Sequence, residues 1–353
     1  MKKIWPFILV IIVFILFTVI LAFSNRDSKL YSRSVMGLAE DVVSHDMAKL
    51  PHQVANFYAS VATTYFEVLK QTGNTKSAIL SATEIIKINF PEKKDQIIID
   101  RFLASLNYTS EYKFTDMEQQ IITENLATST IKVWNLKNDF VQSVAPPPKT
   151  NSPEMLSAIE NSIELTNYRT LEQGALINFW SGMHMTPGIA GIWQDRLYSV
   201  TKNYYLKDEE YAFAQMILAT SLSDTLNQVW QVKEKYKAPR PSKLSKQINL
   251  SMVDPTYPGY ISEYSSTAYV AYNILKEFFP KGEKNWKVDL ENASAMGVWA
   301  GCTFDFDEAA GRGMGERVFV EFKNSLNLSP ISYGWFIPVE IFSTKVGVYK
   351  RSY

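Results

Sequence analysis

The sequence predicts an all-α protein that follows one N-terminal membrane-spanning helix. Apolar residues recur at helical spacing, strand-like alternation is scarce in the N-terminal half, and one uncharged apolar run lies near the N-terminus. The 353 residues are 46% hydrophobic, which is enough to bury a large core. We expect a terminal segment at 1–25 and one helical domain at 26–353, with a proline-rich connector at 146–153 inside that domain.

The terminal segment has the length and composition of a membrane anchor. After Lys2 and Lys3 no charge occurs until Arg26, and residues 4–24 match the roughly 20 apolar residues that cross a bilayer. A cleaved signal peptide is the alternative, because small residues at 22–24 suit a peptidase. The two lysines favour a cytoplasmic N-terminus. We therefore expect a single-pass protein of the inner (cytoplasmic) membrane, with its main domain periplasmic or extracellular.

Charge and metal-ligating residue types exclude several classes of function. Lys and Arg balance Asp and Glu at 36 each, so a large basic surface for nucleic acid is not expected. The single Cys302 cannot form an internal disulfide, and the histidines at 45, 52 and 184 lack zinc spacing. His184 between two methionines could ligate copper or haem, but a lone histidine in an aromatic loop is more often structural. The acidic residues at 305–308 precede an alanine-rich segment and are expected to cap a helix, so no metal is predicted.

The helices follow from apolar spacing and from stop signals such as Gly73 and Pro91. Helical periods cover the segments 35–69, 76–89, 94–107, 115–138, 208–235, 265–279, 290–301 and 307–322. The aromatic passage at 177–193 contains Gly and Pro without a clear period, so we expect an irregular packed loop there. The tail from 328 to 353 has strand-like pieces such as 337–342, which the pattern does not place.

Two cations lie seven residues apart across a predicted helix end. Lys233 continues the apolar side of the 208–235 helix, and Arg240 stands directly before Pro241. An Arg fork and a Lys point charge that converge from these positions suit a tetrahedral oxyanion. Trp230 precedes the lysine by three residues. The alternative is a pair of solvated cations on a lysine-rich turn.

Two further segments extend this pattern. Residues 258–265 read PGYISEYS and lead into an apolar helix, and residues 307–310 read DEAA before Arg312 and Arg317. Together with the Lys-x6-Arg-Pro pattern at 233–241, these segments resemble, in order and spacing, the three motifs of the type 2 phosphatidic acid phosphatase and vanadium haloperoxidase superfamily. The resemblance covers most of the chain outside the anchor. It implies a haloperoxidase- or acid-phosphatase-like helical bundle.

The resemblance also implies where an oxyanion would bind. Lys233 and Arg240 match the cations of the first motif, and Ser262 matches the serine of the second motif that bonds the oxyanion. The third-motif arginine is either Arg312 or Arg317, which the sequence leaves open.

The reactive positions of the superfamily are altered in this chain. Its chemistry uses two histidines, and the position of the first is Tyr264. The position of the second is Val318 if Arg312 is the motif arginine, or Lys323 if Arg317 is. Tyrosine titrates near ~10 and suits acid–base work at neutral pH poorly. A Tyr264 phenolate nucleophile would need its pKa lowered by several units.

Glu263 stands at the glycine position of the second motif. Its carboxylate would repel an incoming phosphate or vanadate, and we hypothesise that it pairs with Lys233 or Arg240 and fills the anion pocket; a solvated loop carboxylate is the alternative. We therefore expect no cofactor and a non-catalytic interaction or scaffold module, as a subunit of a membrane assembly. The alternatives are a diverged phosphatase or vanadium haloperoxidase-type enzyme that binds vanadate, and an oxyanion-binding protein without turnover.

Overall fold

The computed structural model describes the chain at residues 30–45, 49–109, 112–126, 132–182, 186–201, 204, 206–326 and 328. Over these ranges the chain is helical and contains no strand, which confirms the all-α prediction there. Both the predicted anchor at 4–24 and the strand-like piece at 337–342 lie outside them. None of the helices in the described ranges combines the length and the apolar character needed to span a bilayer.

Thirteen α-helices occur in the described ranges. They are α1 (Tyr31–His45), α2 (Pro51–Thr72), α3 (Thr75–Asn89), α4 (Lys93–Ser105), α5 (Asp116–Asn125), α6 (Pro153–Asn167), α7 (Leu171–Trp180), α8 (Gly188–Thr201), α9 (Asp208–Tyr236), α10 (Pro241–Leu244), α11 (Glu263–Phe278), α12 (Glu283–Ala300) and α13 (Asp305–Leu326).

Local capping signals set several helix ends. The Asn74 side chain accepts hydrogen bonds at the start of α3, and Thr115 and Glu118 form a capping box at the start of α5. Gly73 and Gly301 adopt left-handed backbone at φ 63° and 79°, where they end α2 and α12.

Helix α9 lies at the centre of the bundle, where it packs against α1, α2, α8, α11 and α13. It buries apolar residues such as Leu218 and Leu222 completely. It also buries amides: Asn56 Nδ2 of α2 donates to Asn227 Oδ1 of α9 at 2.9 Å, and Ser223 Oγ donates to Asn56 Oδ1 at 2.8 Å. Because buried polar groups need such partners, this network fixes the register of α2 against α9.

Helix α13 lies directly against the start of α11. A Cβ at Gly311 would be 2.6 Å from the Ser262 carbonyl oxygen, and a Cβ at Gly315 would overlap the Ser266 carbonyl oxygen. The glycines therefore allow the two backbones to approach closely. This contact positions the loop that precedes α11.

Residues 132–145, called the strap below, cross α9 and α13 without forming an α-helix. The Asp224 carboxylate of α9 accepts three consecutive backbone N–H groups, those of residues 134–136, at 2.8, 2.9 and 3.0 Å. The helix predicted over 115–138 is therefore too long, since α5 ends at Asn125. The backbone donors that would have continued a helix bind a distant carboxylate instead.

The irregular loop predicted at 177–193 is wrong at both ends. Helix α7 continues to Trp180, and α8 begins at Gly188. Thr170 and Gln173 form a capping box that starts α7 upstream of the aromatic passage. Apolar side chains lie on several sides of these helices, so the one-sided period that reveals an amphipathic helix is missing.

Candidate functional site

Lys233 projects from the last turn of α9 into the protein interior, where its side chain is 1% exposed. Its Nζ donates to the carbonyl oxygens of Pro258 at 2.9 Å and Gly259 at 2.7 Å. The Glu263 carboxylate oxygen Oε2 lies 2.9 Å from the same nitrogen. The ammonium thus has three close oxygen neighbours, as many as its N–H donors.

Arg240 is buried beside Lys233, at the start of the short helix α10. Its Nε donates to the Tyr257 carbonyl oxygen and its Nη1 to the Cys302 carbonyl oxygen, both at 2.9 Å. Its Nη2 lies 3.5 Å from Glu263 Oε1 and 3.4 Å from the Pro258 carbonyl oxygen. The guanidinium fork therefore joins the loop before α11 to the turn before α13.

Glu263 is the first residue of α11, and its carboxylate is 2% exposed between the two cations. The Tyr257 hydroxyl donates to Oε1 at 3.0 Å, whereas Oε2 meets Lys233 at ion-pair distance without hydrogen-bond geometry. The helix N-terminus also favours a negative charge here. The pairing hypothesised from the sequence is thus present with both Lys233 and Arg240, and Glu263 is not a solvated loop carboxylate.

Burial and the neighbouring charges act against each other in this cluster. Burial raises the pKa of Glu263, but Lys233 and Arg240 outweigh it and hold that pKa below its usual 4.5. Burial lowers the pKa of Lys233 to about 8, with Glu263 opposing and Arg240 adding to the decrease. Two cations share one carboxylate, so the lysine is less well compensated than the glutamate.

Asp307 is a further buried acid next to this cluster. Burial raises its pKa to about 7, and its Oδ2 accepts the backbone N–H of Phe304 at 2.8 Å. The acidic residues at 305–308 therefore provide a cap for α13, as expected from the sequence. Across the described ranges, no group of three or more His, Cys, Asp or Glu side chains is placed to hold a metal ion.

Tyr257 completes the cluster and was missed in the motif comparison. Besides donating to Glu263, its ring lies under Arg240 at 4.8 Å and near Lys233 at 5.6 Å. The Trp230 ring meets it edge-on at 5.6 Å. The sequence did contain a signal for this residue, because Tyr257 is an aromatic residue directly before Pro258 in the predicted site loop.

The positions of the two superfamily histidines show no reactive arrangement. Tyr264 is buried, and burial together with the Glu263 carboxylate raises its pKa well above 10. A phenolate nucleophile needs the opposite shift. Val318 is fully buried, and Lys323 pairs with Glu277 at 2.8 Å on the surface.

The other expected oxyanion ligands lie elsewhere or are engaged. Arg312 is exposed and stacks over the Tyr269 ring at 4.9 Å, while Arg317 lies 6.0 Å from the Phe140 ring. Neither forms an ion pair or hydrogen bond with the Glu263 cluster in the described part of the chain. Ser262 is fully buried, and its Oγ caps α11 by accepting the N–H of residue 265.

The described histidines are also outside the cluster. His52 stacks on Trp230 at 4.3 Å, and burial lowers its pKa to about 4. His45 contacts the Asp41 carbonyl oxygen at the surface. His184 lies outside the described residues.

Comparison with known protein structures identifies a fold. No family model and no curated protein sequence matches the chain. A bacterial vanadium-dependent iodoperoxidase structure superposes with a TM-score of 0.70 over 86% of this chain and 98% of its own, at 13% identity. The chain has the vanadium haloperoxidase fold. The apo form of a bacterial vanadium-dependent chloroperoxidase shares this haloperoxidase fold at a TM-score of 0.59, over 82% of this chain and 97% of its own, with 9% identity. The holo form of a bacterial vanadium-dependent chloroperoxidase gives a TM-score of 0.58, over 80% of this chain and 93% of its own, with 10% identity.

The haloperoxidase fold makes vanadate the group whose fit must be tested, and the residues present do not fit it. Glu263 stands between Lys233 and Arg240, and their N–H donors already meet carbonyl oxygens. A tetrahedral oxyanion would meet a like charge at that place.

Proposed function

We propose that this protein is a non-catalytic relative on the haloperoxidase fold that serves as an interaction or scaffold module. The observation that carries the proposal is the Glu263 carboxylate, which lies buried against both Lys233 and Arg240. An internal carboxylate supplies the negative charge that these cations need. The site therefore requires no bound oxyanion to be stable.

Within the described residues, the Glu263 cluster and its surroundings offer no free acid–base group, which supports the same proposal. The pKa of Tyr264 is raised by burial and that of His52 is lowered to about 4, so neither titrates near neutral pH. Asp307 has a pKa of about 7, but its Oδ2 accepts the backbone N–H of Phe304 and the residue is 1% exposed. A buried acid without access to substrate does not support turnover.

Membrane attachment through residues 4–24 is part of the proposal and rests on the apolar composition of that segment. The domain would then act as a subunit of a membrane assembly on the far side of the bilayer. Extraction of membranes with alkaline carbonate tests this point, since an anchored chain stays in the pellet and a cleaved one is released. Protease protection of the main domain in sealed inner-membrane vesicles of known orientation reports its side.

The competing function is a diverged enzyme. Its support is that the structures of the same fold are iodoperoxidase and chloroperoxidase enzymes. Such an enzyme would use Lys233 and Arg240 to hold vanadate or a phosphate ester, which requires the Glu263 carboxylate to leave their contact. The same movement would expose two buried cations to water.

Oxyanion binding and turnover separate these functions. The full chain is tested for a change in unfolding midpoint with phosphate or orthovanadate, for phosphate-ester hydrolysis, and for bromide oxidation by peroxide with added vanadate. We expect no effect and no turnover in the unaltered chain. Glu263→Gly removes the internal carboxylate and is expected to create oxyanion-dependent stabilisation without turnover. Glu277→Gln, at a surface ion pair, is the matched control.

Activity in the unaltered chain that is lost in Lys233→Ala would refute the scaffold proposal. Binding of oxyanion without turnover in the unaltered chain would instead indicate an oxyanion-binding protein. Binding and turnover are measured on the same preparation of each variant. The helical circular dichroism of that preparation shows whether a lost activity reflects a folding defect.

A further inference from the structure

A groove outside the Glu263 cluster lies between the strap and the C-terminal half of α13. It is open to solvent, has a volume of about 570 Å³, and is lined by Asn138, Phe140, Arg317, Val320, Glu321 and Asn324, among others. Pockets that hold small organic ligands occupy about 300–1,000 Å³. The groove is therefore large enough for a small molecule.

Arg317 is one of the two cations that line this groove, and no hydrogen-bond or ion-pair partner for its guanidinium is found among the described residues. Its Nε is buried and has no hydrogen-bond acceptor, and no carboxylate of the described chain forms an ion pair with its guanidinium. Because Nε is shielded from solvent, an anion from solution would meet the outer nitrogens of the guanidinium, whose planar fork matches a carboxylate.

One of the two acids in the groove, Glu321, is already occupied. Glu321 Oε2 accepts the Asn138 side-chain amide at 2.9 Å, and Oε1 accepts the backbone N–H groups of Asn138, at 3.1 Å, and Lys137. The carboxylate is therefore used to hold the strap on α13. It also gives the groove a negative charge close to Arg317.

The rest of the groove offers apolar surface. The Phe140 ring lies beside the Arg317 guanidinium, and Val320 on the same helix face is 54% exposed. The backbone N–H of Phe140 donates to Gln228 of α9 at 2.9 Å, so the ring is held in place by the strap. A ligand with a flat apolar body can lie on these two side chains.

We propose that this groove binds a small organic monocarboxylate, with its carboxylate on Arg317 and its apolar body on Phe140 and Val320. A monoanion is favoured over a phosphate dianion because Glu316 and Glu321 offset Lys137 and Arg317 in the lining, which leaves no net positive charge to balance a second negative charge. The site is separate from the Glu263 cluster, and it does not depend on the function proposed above.

Fluorine NMR of the full chain tests this assignment with 4-fluorobenzoate as the probe. The uncharged 4-fluorobenzamide has the same apolar body, and 4-fluorophenyl phosphate carries the additional charge. The full chain is kept in detergent because of its apolar N-terminal segment. Broadening of the probe signal by detergent alone is measured in a protein-free blank and subtracted. We expect 4-fluorobenzoate to bind at least about tenfold more tightly than 4-fluorobenzamide, because hydrogen bonds to a charged group are stronger than those to a neutral one. We also expect it to bind more tightly than the phosphate, whose second negative charge faces Glu316 and Glu321.

Variants assign the binding to the groove. Arg317→Gln is expected to weaken 4-fluorobenzoate binding at least about tenfold, and Val320→Asp is expected to weaken it through the added negative charge. Arg312→Gln alters an arginine of the same helix that stacks outside the groove, and is expected to leave the affinity unchanged. Val320 is an exposed position, so its variant also tests the site if Arg317→Gln unfolds.

Three results would overturn the proposal. They are equal affinities for the benzoate and the benzamide, equal losses in the Arg312 and Arg317 variants, and no detectable binding of 4-fluorobenzoate at millimolar concentration. Tighter binding of the phosphate analogue would also contradict the monoanion assignment.

Discussion

Replacing Glu263 by glutamine should destabilise the protein strongly. The substitution keeps the size of the side chain but leaves Lys233 and Arg240, at 1% and 2% exposure, without an anionic partner. Removing one member of a buried ion pair costs about 3–5 kcal/mol, because the remaining charge stays buried without compensation. Both cations keep their bonds to backbone carbonyls, so we expect a loss of about 3 kcal/mol rather than complete unfolding.

The loss should depend on pH in a direction set by Lys233. Its pKa in the folded protein is about 8, below the ordinary 10.5, and it falls further when the attraction of Glu263 is removed. In the Glu263→Gln variant, Lys233 therefore begins to lose its proton in the folded state below pH 8, where it is still protonated in the unfolded state. The stability of the variant should rise with pH between 6 and 8, by up to about 1.4 kcal/mol per unit, whereas the Lys233 contribution in the unaltered chain should stay nearly constant from pH 6 to 7 and begin to rise as pH approaches 8.

Urea unfolding followed by helical circular dichroism at pH 6, 7 and 8 measures both effects. Glu277→Gln removes a carboxylate from a partly exposed ion pair and should cost no more than about 1 kcal/mol. In the double variant Lys233→Met/Glu263→Gln, the loss should be smaller than the sum of the two single losses. A Glu263→Gln loss no larger than that of the surface control, at every pH, would refute the assignment of Glu263 as the internal counter-ion.

Three further predictions concern the packing around the site. Burial raises the pKa of Asp307 from 3.8 to about 7, so between these pH values the folded state binds more protons than the unfolded state. The stability contributed by Asp307 should therefore fall as pH rises from 4 to 7, and Asp307→Asn should remove that fall in urea unfolding. Gly315→Ala should lower the free energy of unfolding by about 1–3 kcal/mol, because the added Cβ overlaps a carbonyl oxygen of α11. Gly313→Ala is the control: its Cβ would have its nearest neighbour at 3.7 Å, so the change should be neutral or slightly stabilising in the same assay. Arg196→Lys should lower the thermal midpoint modestly, since one ammonium cannot reproduce the two parallel bonds of the guanidinium to Asp289 across α8 and α12.

The fold could be predicted because its signals are local and ordered along the chain. The Lys-x6-Arg-Pro pattern at 233–241, the loop at 258–265 and the acidic start at 307–310 are each short segments, and their order is visible without coordinates. The likeness to haloperoxidase structures confirms the resemblance at the level of the fold. Pairing of Glu263 with Lys233 or Arg240 was hypothesised from its position inside one of these segments, whereas its contact with both cations became visible only in the structure.

The features that could not be predicted depend on groups far apart in the sequence. The strap is held by Asp224, about 90 residues away, so the helical period at 115–138 gave no sign that it would stop. The difference between Arg312 and Arg317 likewise depends on which side of α13 each occupies and on what packs there. Neither residue reaches the Glu263 cluster, so the choice between them as a motif arginine has no consequence for that site.

The contacts of Lys233 and Arg240 bear directly on whether these cations imply an anionic ligand. Lys233 binds two carbonyl oxygens of the loop before α11, and Arg240 joins that loop to the Cys302 carbonyl oxygen. Each of these carbonyl oxygens accepts a hydrogen bond from one of the two cations, which is a structural role independent of catalysis. Two buried cations fastening one loop need one nearby anion, and Glu263 provides it from within the chain. The motif cations of a haloperoxidase fold can therefore be explained here by the stability of the loop alone, and their presence is no argument for oxyanion chemistry.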